Sequence, residues 1–246
     1  MLSRPLTDEN NGLGEAWTPI VASCDVVIEV NLPPGTDRRD LQLNLGGVQV
    51  GYRGLHTAHD LSATIKSGSC NVDVVCGADD GDQHAPIDDW RAEIPSVAIF
   101  SYGGFLKCSG SMLNNVLGDQ TPFFLTARHC DVVASNAASV VTYWKYETTT
   151  CQGTPDGEFN NFLTGSVHLI ENEATDMTLV RMNEAVPPEW IGDILSFAGW
   201  DRSGSDATSA TAIHHPSTDE KRIRYENPAS NATIAPHTVR MRLIKS

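Results

Sequence analysis

An imidazole, His129, and a carboxylate, Asp176, are the residues of this sequence best placed to do acid–base chemistry. His129 lies near the end of the run Phe123-Phe124-Leu125-Thr126-Ala127-Arg128-His129-Cys130, in which an apolar strand delivers a small-residue turn and then a histidine. Asp176 lies in Ala174-Thr175-Asp176-Met177-Thr178-Leu179-Val180, where an acid opens a β run and can be carried inward. Glu171 and Glu173, just before it, read as solvated. Attack of a hydroxyl on an acyl carbon needs a base to take the hydroxyl proton, a carboxylate to fix the imidazole tautomer, and backbone N–H donors for the oxyanion. We read His129 as the base and Asp176 as the orienting carboxylate.

The nucleophile has no such candidate. No Gly-x-Ser-Gly run occurs between His129 and Ser246. Ser109, Ser111 and Ser203 stand beside glycines, but the first two fall in a strand run ahead of the histidine turn. Ser203 follows Gly199-Trp200-Asp201-Arg202 instead of a nucleophile turn, so none of the three is assigned the role. Metal chemistry is not expected either. The six cysteines are scattered singly, without Cys-x-x-Cys spacing, and His214-His215 with Glu220 lacks a third ligand at useful spacing, as do His56 and His59. No cofactor is implied.

Strands must hold these groups. Short β-rich runs separated by Gly, Pro, Asp and Asn recur over Val26–Asn31, Leu41–Tyr52, Ser96–Tyr102, Phe105–Leu113, Pro122–Ala127, Ser139–Tyr146, Leu163–Ile170 and Met177–Met182. That pattern predicts an all-β sandwich or barrel. One short helix is expected within Ala185–Leu195, with Pro187-Pro188 in its first turn. The acidic run Gly77–Asp89 reads as a solvated loop, and a boundary is expected near Lys66. Thr238–Leu243 alternates polar and apolar residues as a half-buried strand does.

Composition narrows the partners. With 17 basic and 31 acidic residues the formal charge is -14, which disfavours nucleic acid and anionic membranes. Single, scattered cysteines fit a disulfide framework and hence an oxidising compartment. The first residues show no apolar stretch like a signal peptide, and no segment is long enough to span a bilayer. The expectation is that the natural start lies upstream.

Several runs together make a specific resemblance. Ser67-Gly68-Ser69-Cys70-Asn71-Val72-Asp73-Val74-Val75-Cys76, Cys108-Ser109-Gly110-Ser111-Met112-Leu113-Asn114-Asn115, Tyr143-Trp144-Lys145-Tyr146, Gly199-Trp200-Asp201-Arg202, Ala212-Ile213-His214-His215-Pro216 and Glu220-Lys221-Arg222-Ile223 resemble the bacterial lysyl endopeptidases, a secreted branch of the trypsin-like serine proteases. The resemblance covers about residues 67–225. It implies an all-β, trypsin-like double β-barrel, with residues 67–185 as a complete first barrel and 186–246 as the start of an incomplete second one. Residues 1–66 resemble a β-rich pro-region. It also implies that His129 and Asp176 are the base and acid of a triad, and that Cys108 pairs with Cys130 and Cys76 with Cys151. Cys70 and Cys24 are left over, and we expect them to bond to each other. Trp200 is expected to anchor the second barrel.

Function follows by the same likeness: an extracellular, monomeric serine endopeptidase acting on proteins or peptides, with cleavage after lysine implied by kinship. In that family the nucleophile serine and the acid that selects lysine lie in segments with no counterpart up to Ser246. The expectation is therefore a chain truncated before its nucleophile and inactive as given. The alternative is a non-catalytic pseudo-protease or binding protein.

Overall fold

Alternating apolar residues become a strand only where a neighbouring strand offers backbone partners, and from Val97 onward this chain supplies them in succession. The computed structural model describes residues 15–21, 23, 25–49, 70–201 and 209–226. Its strands are β1 (Val72–Asp73), β2 (Val97–Tyr102), β3 (Phe105–Leu113), β4 (Phe123–Thr126), β5 (Val141–Trp144), β6 (Asn161–Thr164), β7 (Ser166–Asn172), β8 (Met177–Met182), β9 (Ala210–His214) and β10 (Arg222–Glu226). The helical elements among the described residues are 3-10 turns.

Seven strands form one antiparallel sheet in the order β6-β5-β2-β3-β4-β8-β7. Its two ends, β6 and β7, are separated only by Gly165, whose φ of +73° a side chain would resist. They are therefore two halves of one bent strand, pairing β5 before the bend and β8 after it, so the sheet curls back on itself. Register shifts at Phe100/Ser101 and at His168/Ile170 add the local bends that curvature needs.

The curled sheet encloses Ala98, Phe100, Met112, Phe124, Trp144, Leu163, Val180 and Met182. Phe124 stands edge-on to both Phe100 and Trp144, with ring centroids 5.7 and 6.0 Å apart. Gly110 on β3 leaves room for that ring: a Cβ there would collide with it and come within 2.8 Å of the Leu125 carbonyl.

A second, three-stranded sheet has the order β1-β10-β9, so it joins one strand from residues 67–185 to two from residues 186–246. Val74, Ile87, Ile94, Val97, Ile213 and Ile223 make its core. Two buried cations lie beside it. Arg222 is paired with Asp73, while Lys221 donates to the Ile94 carbonyl at 3.1 Å and lies 3.7 Å from Glu147. The architecture is the all-β, trypsin-like one.

Several local expectations are corrected. Residues 25–49 hold no strand, only a 3-10 turn at Arg38–Asp40. Val26, Val27, Ile28, Leu43, Leu45 and Val48 are exposed there, so the β-rich N-terminal segment is not seen among its described residues. β propensity needs a half-buried surface to act on, and no strand pairs with these residues. The helix expected within Ala185–Leu195 is a single 3-10 turn, Pro188–Trp190, because Gly192 turns the chain at φ +97°. The loop expected over Gly77–Asp89 winds into 3-10 turns that bury His84 and Ile87. The Thr238–Leu243 strand lies outside the described residues.

Candidate active site

The pairing of β4 with β8 decides what meets at their shared end. Thr126 lies opposite Thr178, so the turn leaving β4 and the turn entering β8 come out side by side. His129 is in the first and Asp176 in the second. Each turn is built tightly. After Ala127, residues Arg128–Cys130 form a 3-10 turn that ends at Asp131 in the left-handed region. Cys130 is tied by a disulfide to Cys108 on β3, and the Thr126 hydroxyl donates to the Ser109 carbonyl at 2.9 Å.

Asp176 also has left-handed backbone, with φ +51°, a conformation that costs a non-glycine residue about 1–2 kcal/mol, with Asp among the most tolerant. Three bonds offset that cost and join the turns. The Arg128 N–H donates to the Asp176 carbonyl at 3.1 Å. The His129 N–H donates to Asp176 Oδ1 at 2.9 Å. His129 Nδ1 lies 2.6 Å from Asp176 Oδ2. The donated His129 N–H, followed by the imidazole bond, holds the Asp176 carboxyl below its ordinary pKa.

The geometry fixes the tautomer. An ionised carboxylate only accepts, so a neutral His129 carries its proton on Nδ1 and presents Nε2 as the acceptor. Both side chains reach the surface, 72% and 46% exposed. The site can therefore accept a proton at Nε2 and stabilise the imidazolium that results. Arg128 lies 4.0 Å from both Asp131 and Glu171.

The serines beside glycine are engaged elsewhere. Ser109 Oγ accepts from the His215 N–H at 2.7 Å, and Ser111 Oγ donates to Ser96 Oγ at 3.3 Å. Ser203 lies outside the described residues, as do His56 and His59. Cys76 is bonded to Cys151 and Cys108 to Cys130. Cys70 is exposed, and the bond expected between it and Cys24 involves a residue outside the described ones. His215 is buried, donates from Nδ1 to the Asp219 carbonyl at 3.0 Å and stacks on Tyr146. Burial drives its pKa well below the ordinary histidine value. Trp144 is fully buried, whereas Trp200 is 44% exposed. Sequence reasoning passed over Glu93, a buried acid whose setting depends on contacts that no local pattern announces.

The family model described as "Lysyl endopeptidase, C-terminal domain" matches residues 64–243. A protein of Pseudomonas aeruginosa named lysyl endopeptidase is 28% identical over 233 residues, which are 92% of this chain and 49% of the relative. The chain thus spans about half the length of the curated relative it matches.

Proposed function

The chain belongs to the family of the lysyl endopeptidase C-terminal domain, and on that premise we propose that it supplies the general base and orienting carboxylate of an extracellular serine endopeptidase that cuts peptide bonds after lysine. The observation that carries the proposal is the pair of hydrogen bonds from His129 to the Asp176 carboxylate, one from the backbone N–H and one from Nδ1. In this reading Nε2 of His129 takes the proton of an attacking hydroxyl, Asp176 stabilises the imidazolium, and the proton passes on to the leaving amine. Two disulfides support an oxidising location. The substrate is a protein or peptide, and the chain acts as a monomer.

Residues 1–246 contain no Gly-x-Ser-Gly run, so in this proposal they do not contain the nucleophile or its oxyanion donors. The isolated 246-residue chain should not hydrolyse lysyl esters or amides. Turnover that a His129→Ala change abolishes would show that the nucleophile is present after all. The activity itself is tested with a chimaera in which the remaining C-terminal part of the Pseudomonas relative follows Glu226. It should cut after lysine and lose that cutting on His129→Ala or Asp176→Asn. A folded chimaera, retaining the His129–Asp176 bond by NMR yet cutting nothing, would refute the assignment.

A further inference from the structure

Ser109 joins the second sheet to the turn that carries His129. Pairing between β3 and β4 stops at Gly110–Thr126. Past that point Cys108 and Ser109 of β3 hold the departing turn without a β ladder. Cys108 is bonded to Cys130, and the Ser109 carbonyl accepts from the Thr126 hydroxyl at 2.9 Å. On its other side β3 stays in register with β2, Cys108 opposite Phe100 and Ser109 opposite Ile99. Ser109 is thus fixed by a strand on one side and supports the foot of the His129 turn on the other.

The Ser109 hydroxyl makes the connection. It accepts from the His215 N–H at 2.7 Å, across 106 residues of sequence. His215 opens the turn between β9 and β10, and that turn is stiff. The Asp219 N–H donates to the Pro216 carbonyl at 2.9 Å, and His215 Nδ1 donates to the Asp219 carbonyl at 3.0 Å. The buried His215 ring lies nearly parallel to Tyr146, at 13°. Ser217 and Thr218 have left-handed backbone, with φ +53° and +63°, which non-glycine residues keep only where their surroundings fix it. Two more bonds seat β10 on the first barrel: the Lys221 N–H donates to the Tyr146 carbonyl at 2.9 Å, and the Gly157 N–H to Glu220 Oε1 at 2.6 Å. Of these ties, the one through His215 lands on β3, beside the support of the His129 turn. Leaving the N–H of a buried residue without an acceptor is costly, so the rigid β9–β10 turn holds the Ser109 hydroxyl, and with it this part of β3, in place.

We propose that Ser109 is a positioning residue for the general base, passing the seating of the second sheet on to His129 through its hydroxyl and its carbonyl. The inference rests on the reading of His129 as the base, but its test follows the His129–Asp176 bond and needs no turnover. Ser109→Ala and Ser109→Thr are compared with the parent 246-residue chain by NMR, through hydrogen exchange of the His215 amide and solvent exchange of the His129 Nδ1 proton. Ser109→Ala should speed exchange of the His215 amide about tenfold, the worth of one hydrogen bond in a shielded setting, and exchange of the His129 Nδ1 proton several-fold. Ser109→Thr keeps the hydroxyl and should restore both. An unchanged His129 proton in a Ser109→Ala variant whose His215 amide has lost protection would overturn the positioning role alone, as would a Ser109→Thr variant as perturbed as Ser109→Ala. A parent chain with no bonded Nδ1 proton on His129 would overturn both this role and the reading of the base. Should Ser109→Ala fail to fold, the parent chain in mild urea decides: the His215 amide and the His129 Nδ1 proton should lose protection together, and loss at His215 with the His129 proton unaffected would overturn the proposal.

Discussion

Removing the two disulfides one at a time should separate global stability from the integrity of the His129 turn. Cys108–Cys130 spans 22 residues and Cys76–Cys151 spans 75. Loop-closure entropy then assigns about 3.4 kcal/mol to the shorter loop and about 4.5 kcal/mol to the longer at 25 °C. With a urea slope of about 2 kcal/mol per molar, the paired Cys→Ala changes should lower the unfolding midpoint by about 1.7 M and about 2.2 M respectively. The local effects should rank the other way. Cys130 is next to His129, so freeing it from β3 should loosen the turn that presents the imidazole. Cys76 belongs to the cluster under the three-stranded sheet, and its loss should leave the His129–Asp176 bond as it was. The assay is urea unfolding by circular dichroism together with the NMR signal of the His129 Nδ1 proton in each variant. A larger stability loss from the shorter loop, or equal damage to the signal in both variants, would refute the reasoning.

Other outcomes follow from the packing and the charges. Phe124→Ala empties a ring contacted by Phe100 and Trp144 and should cost about 3–5 kcal/mol, read as a lower melting temperature. Asp73→Ala removes the nearest counter-ion of Arg222 and leaves it Asp219 and Glu220 at 3.9 Å, so it should cost less than the about 3–5 kcal/mol of a fully broken buried pair by urea unfolding. The lowered pKa of Asp176 means that the folded state favours its ionised form. Its stabilisation is fully present above the unfolded value of about 3.9 and is lost as pH falls through the lower folded value. Asp176→Asn should therefore differ from the parent at about pH 6 and converge on it toward about pH 3 in urea midpoints. Exposure to solvent keeps the difference small.

The parts of the site that sequence could reveal are those set by short-range pattern. Phe123–Thr126 and Met177–Met182 are apolar runs short enough to be read as strands, and each lies within three residues of its functional residue. Pairing between them, which makes the residues neighbours, is a long-range fact and was supplied by resemblance. The same is true of the cystine connectivity. Val26–Asn31 shows the limit of propensity: it is richer in β-branched residues than Met177–Met182, yet no strand pairs with it. Glu93 marks another limit, since it is buried and lines a cavity with Trp200, more than a hundred residues away. The 3-10 winding of residues 82–90 was hidden because its sequence is acidic and polar while only His84 and Ile87 turn inward.

The central claim is that Asp176 holds His129 in the Nδ1-protonated tautomer with Nε2 left to act as base. Proton and nitrogen NMR of the His129 ring at neutral pH measures this directly. The account predicts a strongly deshielded Nδ1 proton, an unprotonated Nε2, and loss of the deshielded signal in Asp176→Asn. A ring protonated at Nε2, or a spectrum that Asp176→Asn leaves unchanged, would contradict it.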